Sequence, residues 1–283
     1  LPDAALEETR SFANPHEAEL VAYLARYLLQ QAAYAPSDIT ILTPYLGQLR
    51  LLRDKLGDVL NDVAIEVSAA DEQDLRRYLD PAPGRTDAKA RGAAGTKSAV
   101  RVRVATIDKY VGARAGMPGE RRHASLTAHA DVRRLSGPGR HSYQGEENTL
   151  ILVSLVRSNP IGRIGFLRTT NRANVLLSRA KHGMYLVGNA DTLRANNSWM
   201  WGTVLDLLQC AGQLAPALPL VCQNHPHTVT HVATKDDFLS RARDGGCAEP
   251  CGARLAHCGH VCPRRCVKTS WTDAPPMASV QRR

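Results

Sequence analysis

Five of the seven cysteines, Cys247, Cys251, Cys258, Cys262 and Cys266, fall within twenty residues at short gaps, with His257 and His260 among them. Thiolates and imidazoles spaced this closely suit Zn2+, which is satisfied by tetrahedral Cys/His sets and imposes no geometry of its own. The competing use of such a cluster is a disulfide framework. Crowding at short regular gaps, in a chain whose first residues are acidic and carry no basic start, reads instead as metal binding in a reducing compartment. Cys222-Gln-Asn-His225 lies upstream and offers a further, weaker pair.

The elements that would position chemistry form a repeating pattern. Ala18, Leu20, Val21, Leu24, Tyr27 and Leu28 recur at helical spacing over 15–33, opened by Asn14-Pro15 as an N-cap and N1 proline would open a helix. Ile39–Leu42 reads as a short buried strand and Gly47–Leu60 as a second helix. Strands are expected at Val63–Val67, Val100–Thr106, Thr149–Val153 and Met184–Val187, with a helix at Arg172–Arg179 and a terminal helix at Leu193–Leu214. Mostly continuous apolar strands alternating with amphipathic helices predict an α/β fold, a parallel sheet covered on both faces. Past Leu214 the texture changes to Pro, His and Cys, which sets a first domain at 1–214 and a Cys/His-rich tail at 215–283, the shift itself falling near residue 220.

Length and charge bound the possibilities. The 283 residues can hold one large domain or two modest ones. No run of 18 apolar residues appears, so the sequence offers no membrane-spanning helix. The start without Met predicts a piece of a longer protein. The net charge of +9 favours a polyanionic partner. Between Val111 and Ser142, however, six Arg against Glu120 and Asp131 account for +4, which leaves a mild +5 elsewhere. That segment, 111–142, has scattered Arg and His, five Gly and no periodicity, the composition of a chain that cannot bury enough apolar surface to order itself. A basic loop that touches nucleic acid is one reading. The preferred one is a translated intron, whose removal would turn Lys109 into Asn and join Ile107-Asp108 to Tyr143-Gln144-Gly145-Glu146-Glu147-Asn148. A mature transcript that retains codons 110–141 would contradict it.

With that segment set aside, Val104-Ala105-Thr106-Ile107-Asp108 running into Tyr143-Gln144-Gly145-Glu146-Glu147-Asn148 resembles motif V of superfamily 1 helicases. Ile39-Thr40-Ile41-Leu42-Thr43-Pro44-Tyr45-Leu46-Gly47-Gln48 resembles motif IV. Asn171-Arg172-Ala173-Asn174-Val175-Leu176-Leu177-Ser178-Arg179-Ala180-Lys181 resembles motif VI. Each residue alone has an ordinary structural reading: Tyr45 a core aromatic, Arg179 a helix-surface charge, Glu147 a turn residue. Three blocks in order carry more weight than any one of them. Together they cover about residues 10 to 190 and are similar to the Upf1-like group.

The resemblance implies a second RecA-like domain of the P-loop NTPase type, with ATP and Mg2+ held in a cleft shared with a first RecA-like domain of the same protein. It implies Arg179 as the arginine finger, with Arg172 a second candidate for phosphate or interdomain contact. Tyr45 and Gln48 are expected at the nucleotide, as are Gln144 and Glu147. Thr106, Ser154, Arg157 and Arg163, with Arg168 on the same loop, are expected to grip the phosphodiester backbone of RNA or single-stranded nucleic acid, a contact that holds any sequence. No Gly-x-x-x-x-Gly-Lys-Ser/Thr motif is present; Gly92 to Ser98 is a near miss in a low-complexity connector. This chain alone is therefore expected to be inactive in ATP hydrolysis.

The tail resembles the NF-X-type zinc finger, with its Cys-Gly-His-x-Cys-x3-Cys core, and implies Zn2+ held from among Cys247, Cys251, Cys258, His260, Cys262 and Cys266. Cys258 and His260 compete for positions. Val267 stands where the family continues with His or Cys, so the region reads as truncated. Helicase and finger together resemble the NF-X-type zinc-finger-containing helicases. That family implies ATP-dependent RNA helicase action in small-RNA-directed silencing and heterochromatin formation, with an RNA-directed RNA polymerase complex, at a nuclear or cytoplasmic location. The alternative is a catalytically inactive RNA-binding or protein-interaction module that carries a zinc finger.

Overall fold

A computed structural model of the chain describes residues 3–6, 11–61, 63–79, 101–107, 147–195, 199–254 and 258–268. The connector at 80–97, the segment 111–142 and Gln144 lie outside the described residues.

A short antiparallel pair, β1 (Ala4–Leu6) and β2 (Ser11–Ala13), leads into α1 (Pro15–Gln30). Asn14 caps that helix by accepting a bond from the Glu17 N–H, with Pro15 at the first helical position, where its missing N–H costs nothing. One stripe of α1 (Ala18, Val21, Ala22, Ala25) is fully buried. The next elements are β3 (Ile39–Thr43), α2 (Leu46–Val59), β4 (Ala64–Val67), α3 (Ala69–Leu79) and β5 (Arg101–Thr106). After them come β6 (Asn148–Ser154), α4 (Thr170–Leu177), β7 (Ala180–Val187), α5 (Ala190–Ala195) and α6 (Trp199–Cys210).

The five strands β4-β5-β3-β6-β7 form one parallel sheet in that order. Because successive side chains alternate across a strand, each central strand feeds two cores. Ile39, Ile41, Leu150 and Leu152 face α1 and α2. Leu42, Ile151 and Val153 face α4, α5 and α6, around the fully buried Trp201. The RecA-like α/β fold expected from the sequence is the fold observed.

Three local expectations need correction. The helix expected to carry Arg179 ends at Leu177, so Arg179 sits in the connection into β7, and β7 begins at Ala180, well before the apolar run that marked it. The terminal helix is two helices, α5 and α6, that pack on each other. The tail has structure its composition concealed: a hairpin of β8 (Leu218–Val221) and β9 (Val229–Val232), then α7 (Lys235–Arg241), capped by Thr234 and Asp237. Leu220, Val232 and Phe238 of this tail join the same core as α1.

Candidate functional site

The candidate residues lie at two opposite edges of the sheet, where its strands begin and where they end. At the edge where β6 and β7 begin, the Asn148 N–H donates to the Arg179 carbonyl at 3.1 Å, which sets the exposed Glu147 and the half-buried Arg179 on adjoining strand starts. The Arg179 Nε donates to the Val175 carbonyl at 3.0 Å, so the guanidinium is oriented by the C-terminal turn of α4. Asn148 pins this corner further through its side-chain amide, which donates to Ser37 O and Thr40 Oγ1. A carboxylate and a guanidinium held by rigid strand starts at one edge form a surface able to meet a polar, phosphate-bearing ligand presented by another domain.

At the opposite edge, where β3, β5 and β6 end, lie most of the other expected site residues. Tyr45 is buried between Phe12 and Phe166, whose rings stand edge-on at 5.4 and 5.5 Å. Its hydroxyl makes no hydrogen bond among the described residues. Gln48 is fully buried: its carbonyl accepts from the Asn14 N–H at 2.7 Å and its amide donates to Ser154 Oγ at 2.9 Å. Ser154 in turn donates to Glu17 Oε2 at 2.7 Å, and the same oxygen accepts from the Val156 N–H. Burial pushes the Glu17 carboxyl up to about 7 although these hydrogen bonds oppose the shift.

Thr106 is also buried; its hydroxyl donates to Asp71 Oδ1 at 2.6 Å and its N–H to Oδ2. Arg157 is 7 % exposed, ion-paired to Asp3 at 2.8 Å and laid over the Phe12 ring at 3.7 Å. What faces outward at this edge is the loop after β6. Arg163 and Arg168 are exposed on it, braced where Asn159 Oδ1 accepts from the Arg163 N–H and the Asn159 amide donates back to the Arg163 carbonyl. Phe166, 43 % exposed, carries the Arg172 guanidinium 4.7 Å from its ring centroid, beside a shallow apolar pocket of Pro44, Ile107, Ala173 and Leu176.

This arrangement divides the expected nucleotide set. Tyr45 follows the end of β3, whereas Glu147 precedes the start of the parallel neighbour β6, with Ile39 opposite Leu150. A seven-residue strand is about 20 Å long, so one ligand cannot bridge Tyr45 and Gln48 to Glu147 and Arg179 through this domain. Arg172 and Arg179 likewise lie at opposite ends of α4. Among the expected backbone-gripping residues, Thr106 and Ser154 are hydrogen-bonded to Asp71 and to Gln48 and Glu17, and Arg157 is buried against Phe12 and Asp3, which leaves Arg163 and Arg168 as the exposed cations of that set. Sequence spacing had no access to these partners; Glu17 and Asp71 in particular carry no motif.

In the tail the structure gathers Cys247 and Cys266 of the expected set with the weaker upstream pair, Cys222 and His225. Cys222, His225, Cys247 and Cys266 place their ligand atoms within 4.8 Å of one another. Cys251, Cys258, His260 and Cys262 do not join this group. Cys251 and Cys262 lie on an antiparallel ladder closed by Pro250 with Arg265 and Arg254 with Val261, while Cys258 and His260 are exposed near its tip.

The AAA domain family model matches residues 3–115 and 139–191. The stretch it leaves unmatched, 116–138, falls inside the aperiodic Arg-bearing segment. The chain is 37 % identical over 265 residues to NFX1-type zinc finger-containing protein 1 of Mus musculus, covering 94 % of this chain and 10 % of that protein. Over 66 residues it is 42 % identical to the Helicase required for RNAi-mediated heterochromatin assembly 1 of Schizosaccharomyces pombe, covering 23 % of this chain and 7 % of that protein. It is 45 % identical over 58 residues to the ATP-dependent helicase NAM7 of Saccharomyces cerevisiae, covering 20 % of this chain and 6 % of that protein. The chain thus spans a tenth or less of the length of each of these three relatives. The parallel sheet, the ordered motifs and these matches agree: the chain belongs to the Upf1-like superfamily 1 helicases.

Proposed function

We propose that this chain is the second motor domain of an ATP-dependent RNA helicase, with the nucleotide and the nucleic acid on opposite edges of its sheet. The observation that carries the reading is the adjacency of Glu147 and Arg179 at the strand starts, while the exposed cations Arg163 and Arg168 stand with Phe166 where β6 has ended. Phosphoryl transfer is largely positioning plus neutralisation of charge on the transferred group. Arg179 supplies that charge across a closed cleft, and Glu147 takes the sugar hydroxyls of the same nucleotide. A first RecA-like domain provides the phosphate loop and holds Mg2+.

At the other edge, Arg163 and Arg168 take phosphates without reading bases, and Phe166 offers a ring face to an unpaired base. The buried Gln48-Ser154-Glu17 network makes this edge rigid, so movement of the domain on ATP turnover displaces the strand it holds. The name of the S. pombe relative, a helicase required for RNAi-mediated heterochromatin assembly, supports a place in that process.

The test is a double dissociation in the full-length protein. Arg179→Ala abolishes RNA-stimulated ATP hydrolysis and keeps RNA affinity; Arg163→Ala with Arg168→Ala weakens RNA binding and keeps the ATP hydrolysis rate at saturating RNA. If the Arg179 variant and the Arg163/Arg168 double variant both fail in both assays, the two edges are not separate sites.

A further inference from the structure

The geometry points to a structural Zn2+ site formed by Cys222, His225, Cys247 and Cys266, which fastens the tail to the RecA-like body. Two of these ligands lie far upstream of the crowded Cys run. All four ligand atoms lie within 4.8 Å of one another, and three of their separations stand close to those a tetrahedral ion requires. Zn–S bonds of about 2.3 Å and Zn–N bonds of about 2.0 Å put neighbouring ligands about 3.8 Å apart for S and S, and about 3.5 Å apart for S and N. The Cys222 and Cys266 sulfurs are 3.8 Å apart, and His225 Nδ1 lies 3.7 Å from the Cys222 sulfur and 3.2 Å from that of Cys247. A separation of 3.8 Å is far too long for a disulfide, whose sulfurs stand about 2.05 Å apart.

The surroundings match a metal centre rather than a chance cluster. Cys222, Cys247 and Cys266 are all buried and form a core of their own. Cys222 and His225 occupy one tight turn, in which the Thr228 N–H donates to the His225 carbonyl and the Cys222 N–H to the Thr228 carbonyl. Asn224 donates its amide to the Cys266 sulfur at 3.4 Å, the kind of outer bond that steadies a thiolate ligand. Gly246 is required where the two strands of the site cross, since a Cβ there would lie 2.3 Å from the Cys266 carbonyl oxygen.

The ion's position explains how a polar tail stays on the helicase core. Ligands 222 and 225 follow β8, 247 follows α7, and 266 follows the antiparallel ladder closed by Pro250 with Arg265, so one ion ties together three pieces that β9, α7 and the ladder separate in sequence. The assembly abuts the C-terminal end of α1: the Gln31 amide donates to the Gly245 carbonyl at 2.9 Å and Gln30 to Arg243 O, while Phe238 packs against Tyr23 and Tyr27. A set of this kind binds and folds together, so removing the ion releases the tail from α1.

The test is metal analysis with cobalt replacement on the 283-residue chain. Purified protein is expected to hold Zn2+, and Cys222→Ser to lose one equivalent relative to wild type, whereas Cys258→Ser keeps it. His225→Cys retains a full ligand set and so avoids a folding failure; it should keep the metal but move the Co2+ ligand-to-metal absorption from a three-sulfur to a four-sulfur pattern. Loss of the ion with chelator should expose Gln30 and Gln31 amide environments to hydrogen exchange. An unchanged cobalt spectrum in His225→Cys, or a Cys222→Ser chain with its full metal content, would overturn the assignment, as would iron in place of zinc.

Discussion

The Gln48 amide donates to the Ser154 hydroxyl at 2.9 Å, and that hydroxyl passes its own proton into a bond with Glu17 at 2.7 Å. A residue from the start of α2, one from the end of β6 and one from the first turn of α1 thus share a fully buried polar chain. Its weak member is the carboxyl. Glu17 is 3 % exposed and its pKa stands at about 7, against 4.5 in the unfolded chain. A raised folded pKa means the native state prefers the protonated acid, so the contribution is complete below pH 4.5 and is lost as pH rises to 7. The loss is about 3 kcal/mol. Urea unfolding should show stability falling across this window, and Glu17→Gln should flatten the fall. A variant with the same pH slope as wild type would mean the carboxyl titrates normally.

Gly165 has φ +53°, and a Cβ there would meet the Tyr45 hydroxyl at 2.5 Å. Gly165→Ala should therefore cost about 1–3 kcal/mol, from backbone strain and the clash together. Tyr45→Phe alone should be close to neutral, because the hydroxyl it removes has no partner among the described residues. In the double variant the clash disappears and the strain stays, so the two changes should combine to less than the cost of Gly165→Ala alone. Additive losses in denaturant unfolding would contradict the contact.

The Trp201 indole donates to the Leu167 carbonyl at 2.8 Å from a site with no exposure. It anchors the loop that presents Phe166 and Arg168. Trp201→Phe forfeits the hydrogen bond and leaves a void, and should lower stability by about 2 kcal/mol. Proteolytic nicking within 159–168 should rise with it. An unchanged cleavage pattern would show that the loop does not depend on the indole.

Much of the sheet was legible because its signal is local. Ile39–Thr43 and Asn148–Ser154 are short apolar runs bounded by polar residues, and α2 has a helical stripe that includes Leu49, Leu52 and Leu56. The motif blocks also set the order of the candidate residues along the chain. Which of them face outward was not legible, since burial of Ser154 and Arg157 depends on Glu17 and Asp3, more than a hundred residues away in sequence. Nor did motif spacing reveal that Tyr45 and Glu147 lie at opposite ends of parallel strands. The tail shows the same limit. Regular gaps drew attention to the whole run from Cys247 to Cys266 and left Cys222 and His225 a weaker pair, whereas the structure sets Cys222 beside Cys266, 44 residues away, through the fold of β8, β9 and α7. Helix α7, of seven residues, is too short to print a periodicity.

If Arg163 and Arg168 hold phosphates, each should contribute to the salt dependence of RNA binding and not to its sequence preference. Replacing either by Ala should reduce the slope of log affinity against log salt by about 0.7 and weaken all sequences alike. A change in preference among homopolymers, with the slope intact, would assign the loop to base contacts instead.

Whether the strand-start edge bearing Glu147 and Arg179 is the nucleotide edge is tested most directly by steady-state ATP hydrolysis of the full-length Arg179→Ala protein at saturating RNA. An arginine that neutralises the transferred phosphoryl group contributes about 10³-fold or more to turnover, so the rate should fall by at least that order while RNA affinity stays within about twofold. Hydrolysis at the wild-type rate would contradict the account and return Arg179 to a structural role at the end of α4.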